Sequence, residues 1–315
     1  MKKIGITFAI AFAVTIVAPL IGSTHIQLGA AFSGVSPDAE IFFLARLPRV
    51  LLALLAGAAL SATGSLFQCM LRDPLAEPYT LGVSSGASVG AVIAICLGMQ
   101  QTGFAAVLGA AAGMLLVIGI SLRERRVSAF TLLLTGVTLN SMAFAVILFL
   151  HSTASFSQAF AISRWLMGGL DAVPYSSLAW LAGLMLPVLV LLVWMAPQLN
   201  LLALGDEWAE SRGVNASAIT ILGYIGGAVL TGLATAMTGP IAFVGLLIPH
   251  ALRLIVGADH RVLLPCSIFA GAAFLCVCDT VARVALAPSE IPVGVITAFC
   301  GGPFFLWLLR GHSTS

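Results

Sequence analysis

The sequence predicts an all-α polytopic membrane protein with about ten transmembrane helices, and three observations carry that expectation. Hydrophobic residues make up 60% of the chain and charged residues 8%, where a soluble domain carries roughly 25% charged. Apolar runs of about the 20 residues needed to cross a bilayer recur throughout, and 315 residues with short connections have room for about ten of them. The longest polar interruption is one stretch, 204–217, LGDEWAESRGVNAS.

Lys2 and Lys3 precede an apolar run at 4–21. It reads as the first span rather than a secretory signal, because no small-x-small cleavage site stands ahead of the next span. Residues 23–43 form an outer segment, and Arg46-Leu-Pro-Arg49 leads into the second span, 47–70. Residues 71–80, LRDPLAEPYT, make a tight inner loop. Spans three and four are 81–99 and 103–122, the latter closed inside by Arg123, Arg125 and Arg126. Span five has its core at 131–151; the outer segment 152–177, with Arg164, Trp165 and Asp171, has room for a short interfacial helix. Span six is 178–196. Spans seven to ten are 219–237, 239–255, 263–286 and 291–309, with Gly239-Pro240, Gly245 and Pro249 breaking the eighth. Spans two to five and seven to ten stand five apart in order, so each runs opposite to its counterpart, as in an inverted repeat.

With the N-terminus inside, Lys2, Lys3, Arg72, Arg123, Arg125, Arg126, Arg212, Arg253, Arg261 and Arg310 face inward, and Arg46, Arg49, Arg164 and Arg283 face outward. That bias agrees with the positive-inside rule and puts both termini and the 204–217 stretch in the cytoplasm. The stretch reads as a short helix: Asp206 and Glu207 suit a helix N-terminus, Trp208 and Ala209 supply an apolar face, and Gly213 ends it. Such an element outside the bilayer can touch a soluble partner. The competing reading is a solvated loop helix.

The residues also limit the energy source. A P-loop ATPase needs a lysine after its glycine-rich turn, and the only lysines are Lys2 and Lys3. A gradient-driven carrier places ionisable groups deep in the membrane; the clearest one, Asp279, stands four residues before Arg283 and is set to pair with it. A membrane enzyme would need polar catalytic side chains clustered at one depth, and none are found. Energy from a soluble partner at 204–217 is the better expectation. Cys69, Cys96, Cys266, Cys276, Cys278 and Cys300 lack metal-ligand spacing and read as small apolar residues. His250, Asp259 and His260 read as helix-end residues, so no metal site is expected, and the net charge of +2 gives no sign of a nucleic-acid partner.

Several motifs, in order from residue 46 to 310, carry a resemblance. They are Arg46-Leu-Pro-Arg49, Gly57-Ala58, Asp73-Pro-Leu-Ala-Glu-Pro78, Leu81-Gly-Val-Ser-Ser-Gly86, Leu132-Leu-Leu-Thr-Gly-Val137, Arg164-Trp-Leu-Met-Gly-Gly169, Leu204-Gly-Asp-Glu, Gly239-Pro-Ile-Ala-Phe-Val-Gly-Leu-Leu-Ile-Pro-His250, Asp259-His260-Arg261, Glu290-Ile-Pro-Val-Gly294 and Gly302-Pro303. Together they resemble the FecCD-type (BtuC-like) permeases of bacterial ABC importers. The resemblance implies a type II importer fold in one permease domain, 1–315, with a cytoplasmic coupling segment at 199–217. It implies a multi-pass protein in the lipid of the bacterial inner membrane, dimeric with a second copy or a sister chain. It implies a cytoplasmic ABC ATPase dimer that holds ATP and Mg, so that this chain needs no cofactor and is not itself an enzyme. It also implies a periplasmic substrate-binding protein delivering an iron-siderophore chelate, with haem or cobalamin as alternatives.

Carried over residue by residue, the resemblance assigns ATPase coupling to Leu204, Gly205, Asp206, Glu207, Trp208, Ala209 and Gly213. It assigns docking of the delivery protein to Arg46, Arg49 and Arg283, and the gate or pathway to Asp73, Leu75, Ala129, Phe130, Gly82 and Gly86. Two departures stand out: Asp73 replaces the usual Asn, and Ser128-Ala129-Phe130 is bulkier and more apolar than in relatives. The docking assignment has a physical counterpart, since Arg46 and Arg49 at a helix start are unfavourable by about 0.3–1 kcal/mol. Snorkelling to the interface is the alternative.

Overall fold

The computed structural model describes residues 2–123, 126–127 and 129–312. Arg125 of the inner basic cluster and Ser128 of the bulky stretch lie outside the described residues.

The chain is helical almost throughout. α1 (Lys2–Val17) is followed by a 3-10 turn, Ala18–Leu20, and two short helices, α2 (Leu28–Phe32) and α3 (Asp38–Glu40). A π-helical stretch, Ile41–Arg46, runs without a break into α4 (Leu47–Met70). α5 (Val83–Cys96) and α6 (Thr102–Ser121) lead to a two-residue antiparallel ladder, β1 (Leu122–Arg123) with β2 (Arg126–Val127). Then come α7 (Ala129–Thr153), α8 (Phe156–Leu166), α9 (Tyr175–Trp194), α10 (Ala196–Leu204), α11 (Asp206–Ser211), α12 (Ala216–Thr238), α13 (Val244–Val256), α14 (His260–Val284) and α15 (Val293–His312). The ten expected spans correspond to α1, α4, α5, α6, α7, α9, α12, α13, α14 and α15.

Burial ranks these helices. Over its most apolar window α4 is 83% buried, against 61% for α12 and for α14 and 17–28% for α1, α6, α7 and α9, so α4 is the centre of the bundle. Its sequence explains why. Inside a bilayer, close packing rather than water exclusion holds helices together, and small residues permit it. Ala56, Gly57, Ala59, Ser61, Ala62 and Gly64 line α4, and a side chain at Gly57 would run into the backbone of Gly271 on α14.

The packing order carries the inverted repeat. α4 lies against α14 and α13, as α12 lies against α6 and α5. Likewise α5 packs on α6 and α7, as α13 packs on α14 and α15. These pairings are what a two-fold relation between α4–α7 and α12–α15 requires.

Spans three and eight are shorter than their apolar runs suggest. α5 has 14 residues and α13 has 13. At about 1.5 Å per residue each reaches about 20 Å, short of the roughly 30 Å hydrocarbon core. Chain outside the α-helices precedes each: residues 71–82, with one 3-10 turn, ahead of α5 and 239–243 ahead of α13. The two helices are counterparts in the repeat, so the fold breaks twice in equivalent places.

Candidate functional site

The two breaks meet inside the bundle. A 3-10 turn, Pro78–Leu81, precedes Gly82 (φ 82°), which opens α5, and Phe243 (φ 70°) opens α13. Irregular backbone survives in a membrane protein only where its polar groups find partners, and here the first break serves the second while α7 and α4 supply the rest. Tyr79 Oη accepts the Ile241 N–H at 2.5 Å, Asn140 Nδ2 of α7 donates to Tyr79 O at 2.8 Å, and Gln68 Nε2 of α4 donates to Leu246 O at 3.2 Å. Gly82 sits beside Leu139 and Gly136 of α7, and Gly86 lies against Gly109 of α6, so both occupy helix contacts. Asp73 and Leu75 are in the loop before the turn. Asp73 Oδ1 accepts the Leu75 N–H at 2.9 Å and the Leu75 side chain is exposed. Ala129, half-buried, and Phe130, exposed, begin α7.

At the end of the bundle where α4 finishes, α10 and α11 form an elbow at Gly205 (φ 133°). Asp206 and Glu207 occupy the first turn of α11, as the sequence predicts, where the helix dipole favours them. Gly213 (φ 79°) ends the element, with its N–H on Glu210 O and the Val214 N–H on Ala209 O, both 2.9 Å. Ala209 is wholly buried, and α11 packs on α10 and α12. The apolar face expected from Trp208 and Ala209 is therefore split: Ala209 seats the helix, while Leu204 (68% exposed) and Trp208 (59%) face outward with Glu207 and Glu210.

Two links tie this elbow to the bundle. Asn200 of α10 donates to Asp259 Oδ1 at 2.6 Å and accepts the His260 N–H at 2.8 Å, fastening it to the start of α14. The hydrogen bonds from Asn200 and from the Arg261 N–H hold the Asp259 carboxyl below its ordinary pKa. The second link is Arg72, just past α4, whose guanidinium donates to Leu202 O at 3.1 and 3.3 Å and pairs with Asp206. Its backbone is left-handed (φ 51°), a conformation that costs a non-glycine residue about 1–2 kcal/mol.

The opposite end holds a buried charge cluster. Arg49 Nε donates to Asp279 Oδ1 at 2.9 Å and Arg49 Nη1 to Glu290 Oε2 at 2.7 Å. Arg283 Nε lies 3.0 Å from Asp279 Oδ2, an ion pair without the alignment of a hydrogen bond. Arg283 also donates to Ile21 O at 3.2 Å, and Arg46 donates to Pro19 O and Leu20 O, each at 3.3 Å, and to Thr24 O. All three arginines are buried and Asp279 is 0% exposed, while Glu290 stands half in solvent. The expected Asp279–Arg283 pair is present, with Arg49 as an added member. The helix-start argument for Arg46 and Arg49 does not hold, because the helical run begins at Asp38 and both lie well inside it. These are not free positive charges: the carbonyls after α1 and the two carboxylates already occupy them.

Near the same end three glycines from three motifs converge. A side chain at Gly168 would meet Pro240 O, one at Gly239 would meet Trp165 O and one at Gly294 would meet Met167 O. The Gly169 N–H donates to Thr238 O at 2.8 Å and the Gly294 N–H to Gly168 O at 3.3 Å. The interfacial helix expected in 152–177 is α8, opened by a capping box in which Ser155 and Gln158 serve each other's backbone. Arg164 and Asp171, both exposed, pair at 3.5 Å. An open apolar cleft of about 570 Å³ follows the start of α15, lined by Met167, Val295, Phe299, Pro303 and Leu306 among others.

Residues 8–311 match the FecCD transport family. The chain is 42% identical over 282 residues to the vitamin B12 import system permease protein BtuC of Salmonella typhi, covering 87% of this chain and 85% of that protein. It is 39% identical over 278 residues to the hemin transport system permease protein HmuU of Yersinia pestis, covering 86% and 83%. A solved structure described as a metal-chelate type ABC transporter in an inward-facing conformation superimposes with a TM-score of 0.87 at 29% identity, covering 98% of both chains.

Proposed function

This chain belongs to the FecCD transport family as an ABC importer permease, and from that premise we propose that it carries a bulky metal chelate inward across the bacterial inner membrane. The energy comes from a cytoplasmic ATPase dimer bound at α10–α11. The observation that carries the reading is Leu204 at the end of α10 and Trp208 on α11, exposed with Glu207 and Glu210 at an elbow whose second helix the buried Ala209 seats. Exposed apolar side chains interspersed with acidic residues suit a protein partner outside the bilayer better than they suit lipid. In this arrangement the α11 end and both termini are cytoplasmic, and the end with Glu290 is periplasmic.

The permease does no covalent chemistry. ATP binding in the partner displaces the α10–α11 elbow, and the loop with Asp73 and Leu75, together with Ala129 and Phe130 on α7, opens or closes the inner end of a path shared with a second permease subunit. A periplasmic binding protein delivers the cargo at the Glu290 end. Its carboxylates reach Arg46, Arg49 and Arg283 only by exchanging with Glu290 and the carbonyls that hold them. A gradient-driven carrier fits less well, because two guanidiniums hold Asp279, the clearest relay candidate, in a buried cluster.

Iron-siderophore is the cargo expected from the sequence, whereas the relatives are named for vitamin B12 and hemin. The three are the arms of one experiment: uptake of labelled ferric siderophores, haem and cobalamin by a strain lacking only this chain, with and without the gene restored. Restoration of one identifies the cargo. Restoration of none, with the protein present in the membrane, overturns the reading.

A further inference from the structure

We propose that Arg72 is a positioning residue that links the α10–α11 elbow to the loop carrying Leu75, so that displacement of one moves the other. The inference rests on the reading of α11 as the ATPase contact. Arg72 and Phe243 are the two non-glycine residues with positive φ among the described residues. Phe243 opens α13. Arg72 stands just past the end of α4, where the left-handed conformation ordinarily belongs to glycine. If the position served only to end the helix, glycine would do so without strain, so the side chain is what arginine adds.

That side chain spans the elbow. It donates to Leu202 O in the last turn of α10, an acceptor that also takes the Gly205 N–H at 3.1 Å. It also pairs with Asp206, in the first turn of α11. A planar guanidinium holding both sides of Gly205 depends on the angle between the two helices. On the main chain, Asp73 follows directly and fixes the turn through its carboxylate on the Leu75 N–H at 2.9 Å, leaving Leu75 exposed. The main-chain path from elbow to Leu75 is four residues long, 72–75.

The test uses this permease assembled with its ATPase in lipid nanodiscs, with Leu75→Cys as a probe for a charged maleimide. Labelling is compared between the nucleotide-free and the ATP-plus-vanadate states, with background set by the same protein without the added cysteine. The expected result is a several-fold difference in labelling rate that disappears in Arg72→Gly, while the ATPase still co-purifies and the unfolding midpoint stays the same or rises. Arg72→Lys, which keeps the charge without the fork, should give an intermediate difference. An unchanged labelling ratio in Arg72→Gly would overturn the proposal, as would a parent protein without nucleotide dependence. A lowered unfolding midpoint in Arg72→Gly would assign Arg72 to stability and overturn it too. Trp208→Glu tests the underlying reading separately: undiminished co-purification of the ATPase would remove α11 as the contact, whatever Arg72 does.

Discussion

Replacing Asp279 with alanine should damage this protein more than any exposed charge substitution, and the structure sets the scale. Asp279 is fully buried and serves Arg49 at 2.9 Å and Arg283 at 3.0 Å. Without it Arg49 keeps Glu290 at 2.7 Å, and Arg283 keeps Ile21 O and Thr280 Oγ1, each at 3.2 Å. Breaking a buried ion pair by removing one partner costs about 3–5 kcal/mol; the remaining acceptors point to the lower end, about 3 kcal/mol. Glu290→Gln acts on the same arginine through a carboxylate that is half in solvent, so screening limits its cost to roughly 1 kcal/mol or less. Unfolding midpoints in detergent at one fixed heating rate, because such proteins unfold irreversibly, should place Asp279→Ala lower by on the order of 10 °C and Glu290→Gln close to the parent. Equal shifts, or an Asp279→Ala protein as stable as the parent, would refute the assignment of this cluster as a structural core. The same geometry makes charge reversal at Arg49 a poor probe of docking, since a glutamate there would face both Asp279 and Glu290. Glu290→Gln tests that face without breaking the core.

Leu204→Glu and Trp208→Glu should each weaken binding of the ATPase and leave the permease folded, whereas Ala209→Arg should unseat α11 itself; circular dichroism with ATPase co-purification separates the two. A reporter fused after Asp206 should register as cytoplasmic and one near Ser155 as periplasmic, and the reverse pattern would overturn the orientation. Asp259→Ala should lower the unfolding midpoint at neutral pH through loss of the Asn200 link. Because the folded carboxyl titrates below its ordinary value, its contribution is complete above the unfolded pKa of about 3.9 and is lost as pH falls through the folded value, so mutant and parent midpoints should converge in strong acid.

Length and apolarity made the ten spans legible, and their order made the inverted repeat legible, because both are properties of segments rather than contacts. The shortness of α5 and α13 was harder to read: an apolar run counts residues that suit lipid, whether or not they are helical. The signals were nevertheless present in Pro78, Gly82, Gly239 and Pro240. Ser155-Phe-Ser-Gln158 likewise spelled the capping box of α8. The partnership of Arg49 with Asp279 joins residues 230 apart, and nothing local marks it. Arg46 and Arg49 were misplaced at a helix start because the stretch before them, Ile41–Arg46, is apolar and has no cap to fix where the helix begins. In a helix of six residues the phase of Ala209 against Trp208 depends on which neighbour α11 packs on, and that is settled only in three dimensions.

The breaks before α5 and α13 tie these separate features together. Two continuous helices would satisfy their own backbone and need no hydrogen bond between these segments. By stopping short, each frees polar groups that other parts of the fold must serve: the Tyr79 hydroxyl takes the Ile241 N–H across the repeats, and Asn140 of α7 serves Tyr79 O. The first break continues back through Leu75 and Asp73 to Arg72 and the elbow. The second begins at Gly239, against Trp165, and reaches Gly168 and Gly294 at the far end. A line of close backbone contacts and hydrogen bonds therefore runs from one end of the bundle to the other through two irregular segments between its helices. Regular helices move as rods, whereas irregular segments can absorb changes of φ and ψ, so opposite ends of this permease can be coupled without melting any span.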